Sequence, residues 1–178
     1  RQGVRNLYLE FDPWPAAASF YQELFARLRE ARLRPGINFG AWTMPGIDFV
    51  RDFAATVDLP HSGLVLSPDT GSEGLRRRTK GGPFYTNEEL LAWADRVRDH
   101  GILPSLCFTL GLPFETRQDF AETLTILQRL RRRGHNVLAG AFKLEPGSAV
   151  FCHPGRFGVT PYRRRFADYH EHTRRLAG

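Results

Sequence analysis

Five short apolar runs, each closed by a glycine or proline beside a polar residue, alternate with stretches of helical periodicity along the chain. The runs are Leu7–Phe11, Ile37–Ala41, Gly63–Ser67, the stretch from Leu103 or Ser105 to Leu110, and Val137–Phe142. Pro104 favours Ser105 as the true start of the fourth. Between them lie helical candidates. The first is Ala17–Arg32, with Phe20, Leu24 and Leu28 at helical spacing; the second places Phe49, Val50, Phe53 and Val57 on one face. A short helix is expected near Glu73–Arg78, and a longer one from the Thr86 capping box to Gly101. Thr116 caps a helix to about Arg132, with Phe120, Leu124 and Leu127 inward and Gly134 as its stop. A last helix is expected from Thr160–Pro161, carrying Tyr162, Phe166 and Tyr169.

Strands that alternate with helices build a parallel sheet through right-handed crossovers. Their C-terminal ends share one edge, and that edge is where such folds place their ligands. Five units are too few to close an eight-stranded barrel, so an open arc is expected. Residues 1–150 form this unit, and residues 151–178 a C-terminal extension with a terminal helix.

Composition narrows the setting. The 178 residues are 42% hydrophobic, enough for a real core, and no apolar stretch approaches a membrane span. Cys107 and Cys152 are too few for a disulfide framework and suggest a reducing, cytoplasmic setting. The net charge of +6 is carried by arginine, since Lys80 and Lys143 are the only lysines. The arginine runs lie at helix ends, where they favour the helix dipole, so no nucleic-acid partner is expected. His170-Glu171-His172 lacks the three- or four-residue spacing of helical metal ligands. Met44 is the only methionine, so the chain is expected to be a piece of a longer protein.

The loops after the strands read Glu10-Phe11-Asp12-Pro13, Trp42-Thr43-Met44-Pro45, Ser67-Pro68-Asp69-Thr70-Gly71-Ser72-Glu73, Gly111-Leu112-Pro113-Phe114-Glu115-Thr116 and Lys143-Leu144-Glu145-Pro146-Gly147-Ser148. Taken in order they resemble the radical S-adenosylmethionine (SAM) superfamily, from its third barrel strand onward. "YLEFDPWP" and "NFGAWTMPG" resemble members that carry an upstream cobalamin-binding domain. The superfamily's Cys-x3-Cys-x2-Cys loop is not in this chain.

The resemblance implies an α/β fold: a partial (β/α) barrel of about five parallel strands with outer helices. It implies SAM and a [4Fe–4S] cluster as cofactors, the cluster ligated outside this chain, with cobalamin possible. The missing upstream half of the barrel becomes a partner, beside a small-molecule or peptide substrate. In the family the cluster cleaves SAM to a 5′-deoxyadenosyl radical that abstracts hydrogen, leading here to methyl transfer or ring formation. Residue by residue, Asp69 matches the polar SAM contact after the fifth barrel strand, and Lys80, or Arg78 in a slipped register, the partner of the SAM carboxylate. Trp42 lies near the methionine part, or in the core. Cys107 falls where relatives hold the ribose, and Gly111 and Leu112 beside the adenine. Catalytic residues are not assigned. Alternatives are a non-catalytic binding module or a nucleic-acid-modifying relative.

Overall fold

The computed structural model describes residues 6–10, 15–80, 83–163, 165, 167 and 168. Its parallel strands pair in chain order: β1 (Asn6–Leu9), β2 (Gly36–Ala41), β3 (Gly63–Asp69), β4 (Ser105–Leu110) and β5 (Asn136–Ala141). Among the described residues the sheet is an open arc with β1 and β5 as its edges. The connections carry α1 (Pro15–Glu30), α2 (Ile47–Thr56), α3 (Glu73–Thr79), α4 (Asn87–Asp99) and α5 (Arg117–Arg132). Neighbouring parallel strands joined by right-handed crossovers put every helix on the same face.

Burial along the strands divides the two faces. Ile37, Phe39, Ala41, Leu64, Leu66, Leu106, Phe108 and Val137 are buried. The alternate residues Asn38, Val65, Ser67, Ser105, Cys107 and Thr109 are only half-buried, and Tyr8 and Leu138 are exposed. With a period of two along a strand, this marks one face under helices and one open face. Cys107 therefore sits half-buried on the open face.

Helices α1 and α2 are held on β2 by aromatic packing. Tyr21, Phe25, Phe39, Phe49 and Phe53 contact one another with centroids 4.9 to 6.4 Å apart. Trp93 of α4 donates its indole N–H to the Pro45 carbonyl at 2.7 Å, which ties α4 to the loop before α2. Both sequence caps are present as capping boxes, Thr86 with Glu89 and Thr116 with Asp119. Gly101 and Gly134 end their helices in the left-handed region, at φ 81° and 80°.

The helix faces differ in detail from the sequence reading. On α1 the buried residues are Tyr21 and Phe25; Leu24 and Leu28 flank them and Phe20 is exposed. On α5, Phe120 and Leu124 are 39% and 40% exposed, while Asp119, Thr123, Ile126, Leu127 and Leu130 face inward. The α5 stripe is rotated because its first turns pack on the polar loop after β3 rather than on apolar surface. The chain is not helical at 161–163, so no helix starts at Thr160–Pro161. Instead, a short α6 (Ala149–Cys152) is capped by Ser148, and a 3-10 turn follows at Pro154–Phe157. Strand β1 ends at Leu9 and β5 at Ala141, each earlier than the apolar runs suggested. Phe11, Asp12, Pro13, Phe166, Tyr169 and the His170-Glu171-His172 group lie outside the described residues. No helix among the described residues is long and apolar enough to cross a membrane.

Candidate functional site

Because all five strands run the same way, Asp69, the last residue of β3, lies at the same edge of the sheet as Trp42, Gly111, Leu112 and Glu145, which follow β2, β4 and β5. The most elaborate construction there is the turn after β3. Between Leu66 and Asp69 the pairing with β4 shifts register, from Leu66 opposite Leu106 to Asp69 opposite Phe108. The bulge ends with Asp69 at φ 66°, a left-handed conformation that aspartate tolerates better than most side chains.

Lys80, just past α3, donates from its Nζ to Asp69 Oδ2 at 2.8 Å and to the Ser67 carbonyl. Its side chain is 9% exposed and that of Asp69 is 36% exposed, so the pair is half-sheltered at the strand end. Arg78 is exposed on α3 and contributes field rather than contact, helping to hold Asp119 ionised. Of the two cations considered from the sequence, the structure brings only Lys80 to Asp69.

Behind Asp69 the turn is clamped by a buried polar network. Thr70 Oγ1 lies 3.0 Å from Thr123 Oγ1, which also accepts the Gly71 N–H at 2.9 Å. Ser72 donates to Asp119 Oδ1, and Asp119 Oδ2 accepts the Thr116 N–H and hydroxyl at 2.9 and 2.6 Å. These bonds, from Ser72 first and then Thr116, hold the Asp119 carboxyl below the usual carboxylate range. Asn87 donates to the Gly71 carbonyl at 2.8 Å.

Arg76 lies at the centre. It is buried and donates to the Thr70 carbonyl from Nε and Nη2, to the Tyr85 carbonyl from Nη1 and to Asn87 Oδ1 from Nη2. Its guanidinium also stands 4.8 Å from the Tyr85 ring centroid. Burial pulls its pKa down, against the fields of Tyr85, Glu73 and Asp69. Sequence reasoning missed this residue. Yet a run of three arginines on a helix sweeps ~200°, and α3 is held to the fold at Leu75. One arginine had to face inward.

The loop after β4 is simpler. Gly111 has φ 79° with open space where a side chain would stand, and its N–H donates to Glu115 Oε2 at 2.6 Å. Phe114 is also left-handed, at φ 66°. Glu115 thus anchors the loop, while its other carboxylate oxygen is buried with no hydrogen-bond partner among the described residues. Cys107, on the open face of β4, has its thiol pKa pushed up by partial burial. Trp42 is 72% exposed, so it is not a core residue.

At the opposite end of the sheet, Asp95 accepts from Arg133 at 2.7 Å and lies 2.9 Å from His135 Nε2. Burial opposes its charge, but bonds to His135 and Arg133 keep its carboxyl below the ordinary range. A carboxylate depressed in the folded state stabilises above its unfolded pKa of about 4, and that stability is lost as pH falls through the folded value. Urea midpoints should therefore drop below about pH 4, and less steeply in Asp119→Asn than in the unaltered chain. Parallel pH curves for the two would remove Asp119 from this role.

Two cysteines cannot supply the three protein thiolates of a site-differentiated [4Fe–4S] cluster. They stand on β4 and α6, and no group of three or more His, Cys, Asp or Glu among the described residues could hold a metal ion. The residues present do not fit the cluster. They do fit a polar adenosyl ligand: an accessible carboxylate at Asp69, and a left-handed glycine at Gly111 with room before it.

No family model matches the chain. Over 128 residues it is 29% identical to the tRNA-2-methylthio-N(6)-dimethylallyladenosine synthase of Frankia alni, covering 67% of this chain and 24% of that protein. The chain thus spans about a quarter of that relative's length. The archaeal Methanocaldococcus infernus Elp3 with an N-terminal deletion (1–46) aligns over 90% of this chain and 51% of its own, at 11% identity and a TM-score of 0.43. That structural likeness is too low to bear on function.

Proposed function

We propose that this chain, which resembles the radical SAM superfamily along its five-stranded arc, is the SAM-binding and substrate-positioning part of such an enzyme. The observation that carries the reading is the half-sheltered Asp69–Lys80 pair, one strand away from Gly111 at the same sheet edge. A carboxylate at that place accepts hydrogen bonds from ribose hydroxyls or an ammonium group. Lys80 orients it, and also offers a cation to the SAM carboxylate; Arg78 is the outer alternative. Gly111 and Leu112 take the adenine side, Trp42 the methionine side, and Cys107 the ribose wall on the open face. When bound, SAM would supply the adenosyl group that the cluster cleaves to the radical; these residues bind and orient it.

The cluster and its thiolates come from outside this chain, in the upstream part of the barrel. In its finer form the reading is a cytoplasmic cobalamin-dependent methyltransferase or ring-forming enzyme of secondary metabolism or pigment synthesis, acting on a small molecule or peptide. A nucleic-acid-modifying role is the second reading. It is favoured by the Frankia alni relative, whose name gives a modified adenosine of tRNA as its product.

Anaerobic reconstitution with iron and sulfide, followed by calorimetric titration with SAM, tests the proposal. Alone, the chain should retain far less than a stoichiometric cluster and bind SAM weakly. Asp69→Asn, which keeps the left-handed backbone accessible, should weaken that binding by roughly 10-fold, the scale of one charge-assisted hydrogen bond. SAM cleavage should appear only when a cluster-bearing upstream segment is added. A full cluster on the chain alone, or SAM binding indifferent to Asp69→Asn, overturns the reading.

A further inference from the structure

We propose that the groove at the C-terminal end of β5 binds a single-stranded segment of nucleic acid, with a base stacked on Tyr162 and a phosphate between Lys143 and Arg163. The inference rests on the second, nucleic-acid-modifying reading above, for which it names the form of the substrate. It reverses the expectation, drawn from the arginine runs, that no nucleic acid is bound.

The groove has a volume of about 720 Å³, and Phe142, Lys143, Glu145, Pro161, Tyr162 and Arg163 are among its lining residues. Both of its walls are fastened to the edge that carries Gly111. On one side, the Phe142 N–H donates to the Leu110 carbonyl at 2.7 Å, so the groove begins beside the residue that precedes Gly111. On the other, the Phe157 ring lies 6.3 Å from that of Phe114 in the Gly111 loop. Gly158, left-handed at φ 63°, then turns the chain into the segment that forms the second wall.

The lining selects among ligands. Tyr162 is 99% exposed, so its ring contributes nothing to the core and offers a flat platform. Stacking on such a ring suits any base and needs no particular sequence. Lys143 and Arg163 are both cationic residues of the lining, and the net charge of +6 draws polyanions to the surface. Glu145 is the discriminating group. A carboxylate two residues from Lys143 repels an acidic peptide, whose side chains offer it no donor. The exocyclic amines of cytosine and adenine do offer one. Aromatic platform, paired cations and a carboxylate acceptor together fit a nucleotide better than a purely anionic ligand.

Fluorescence anisotropy with the whole chain and a labelled single-stranded RNA of about 12 nucleotides, within the usual site size for such strands, tests this. Binding should weaken with salt, and Lys143→Ala should reduce the log–log salt slope by about 0.7, one phosphate contact. Tyr162→Ala should cost roughly 5- to 100-fold in affinity, the contribution of one stacked base. Tyr162→Phe should retain affinity, and thermal unfolding should not change in either variant because the ring is 99% exposed. Equal affinity of the unaltered chain and Tyr162→Ala overturns the proposal, as does tighter binding of a polyglutamate peptide than of RNA. The SAM titration is read separately. Loss of RNA binding in Tyr162→Ala with SAM binding indifferent to Asp69→Asn would uphold the groove and overturn the SAM site; the opposite pair of results would do the reverse.

Discussion

Arg76→Ala is expected to destabilise the fold by roughly 3–5 kcal/mol, the sum of several buried acceptors left unpaired and the space left behind. The Thr70 carbonyl would lose two donors, and the Tyr85 carbonyl and Asn87 Oδ1 one each. Water cannot simply replace them, because Thr70 is itself fully buried. Arg76→Lys keeps a charge but replaces a planar fork with a single ammonium, which cannot reach all three acceptors in the same geometry. It should recover only part of the loss. Urea unfolding with an unchanged slope is the measurement, and a loss below about 1 kcal/mol in Arg76→Ala would place the stability of this turn elsewhere. The effect reaches the proposed site because Thr70 follows Asp69 directly. Once its carbonyl is released, the left-handed Asp69 loses the anchor that fixes its carboxylate toward Lys80. Arg76→Lys, which should still fold, is therefore also expected to weaken SAM binding without touching SAM.

The parts of the fold that could be read in advance are those written in local chemistry. Contiguous apolar runs marked the strands, because a parallel sheet under helices needs them. Thr86 and Thr116 marked two helix starts, since each carries an acidic residue three positions on. Gly101 and Gly134 marked two helix ends, and both are left-handed. What escaped was contact between distant segments. Nothing local separates Arg76 from Arg77 and Arg78; the difference lies in Thr70 and Asn87, which the fold brings to it. The same holds for α5. Phe120 and Leu124 are the conspicuous apolar residues of its first turns, yet Asp119 and Thr123 face inward. Polar residues take the inward face there because they meet a polar turn, and apolar periodicity alone cannot see that. Gly71 in that turn is used for space, which its close approach to α5 sets and no local pattern shows.

Gly71→Ala is expected to cost about 3 kcal/mol or more, at the upper end for overpacking a well-filled interior. Gly71 does not need glycine for its backbone, since it is not among the residues with positive φ. It needs glycine because a Cβ there would overlap Ile126 Cγ2, stand 2.5 Å from Thr123 Cα, and lie 3.1 Å from the Glu122 carbonyl. The first contact is with a side-chain methyl, which a substitution at Ile126 removes. The second is with helix backbone, which cannot move without carrying α5 with it. That movement would pull Thr123 Oγ1 from Thr70 and from the Gly71 N–H, and Asp119 from Ser72. The clash and the polar network are therefore one structural unit. A second substitution separates the two causes. If the overlap with Ile126 dominated, Gly71→Ala combined with Ile126→Ala would be close to Ile126→Ala alone. Because the backbone contact dominates, the double variant should be less stable than either single one, as followed by urea unfolding. A rescue by Ile126→Ala would show that α5 tolerates the closer approach, and that the turn after β3 is held by side-chain fit rather than by the helix backbone behind it.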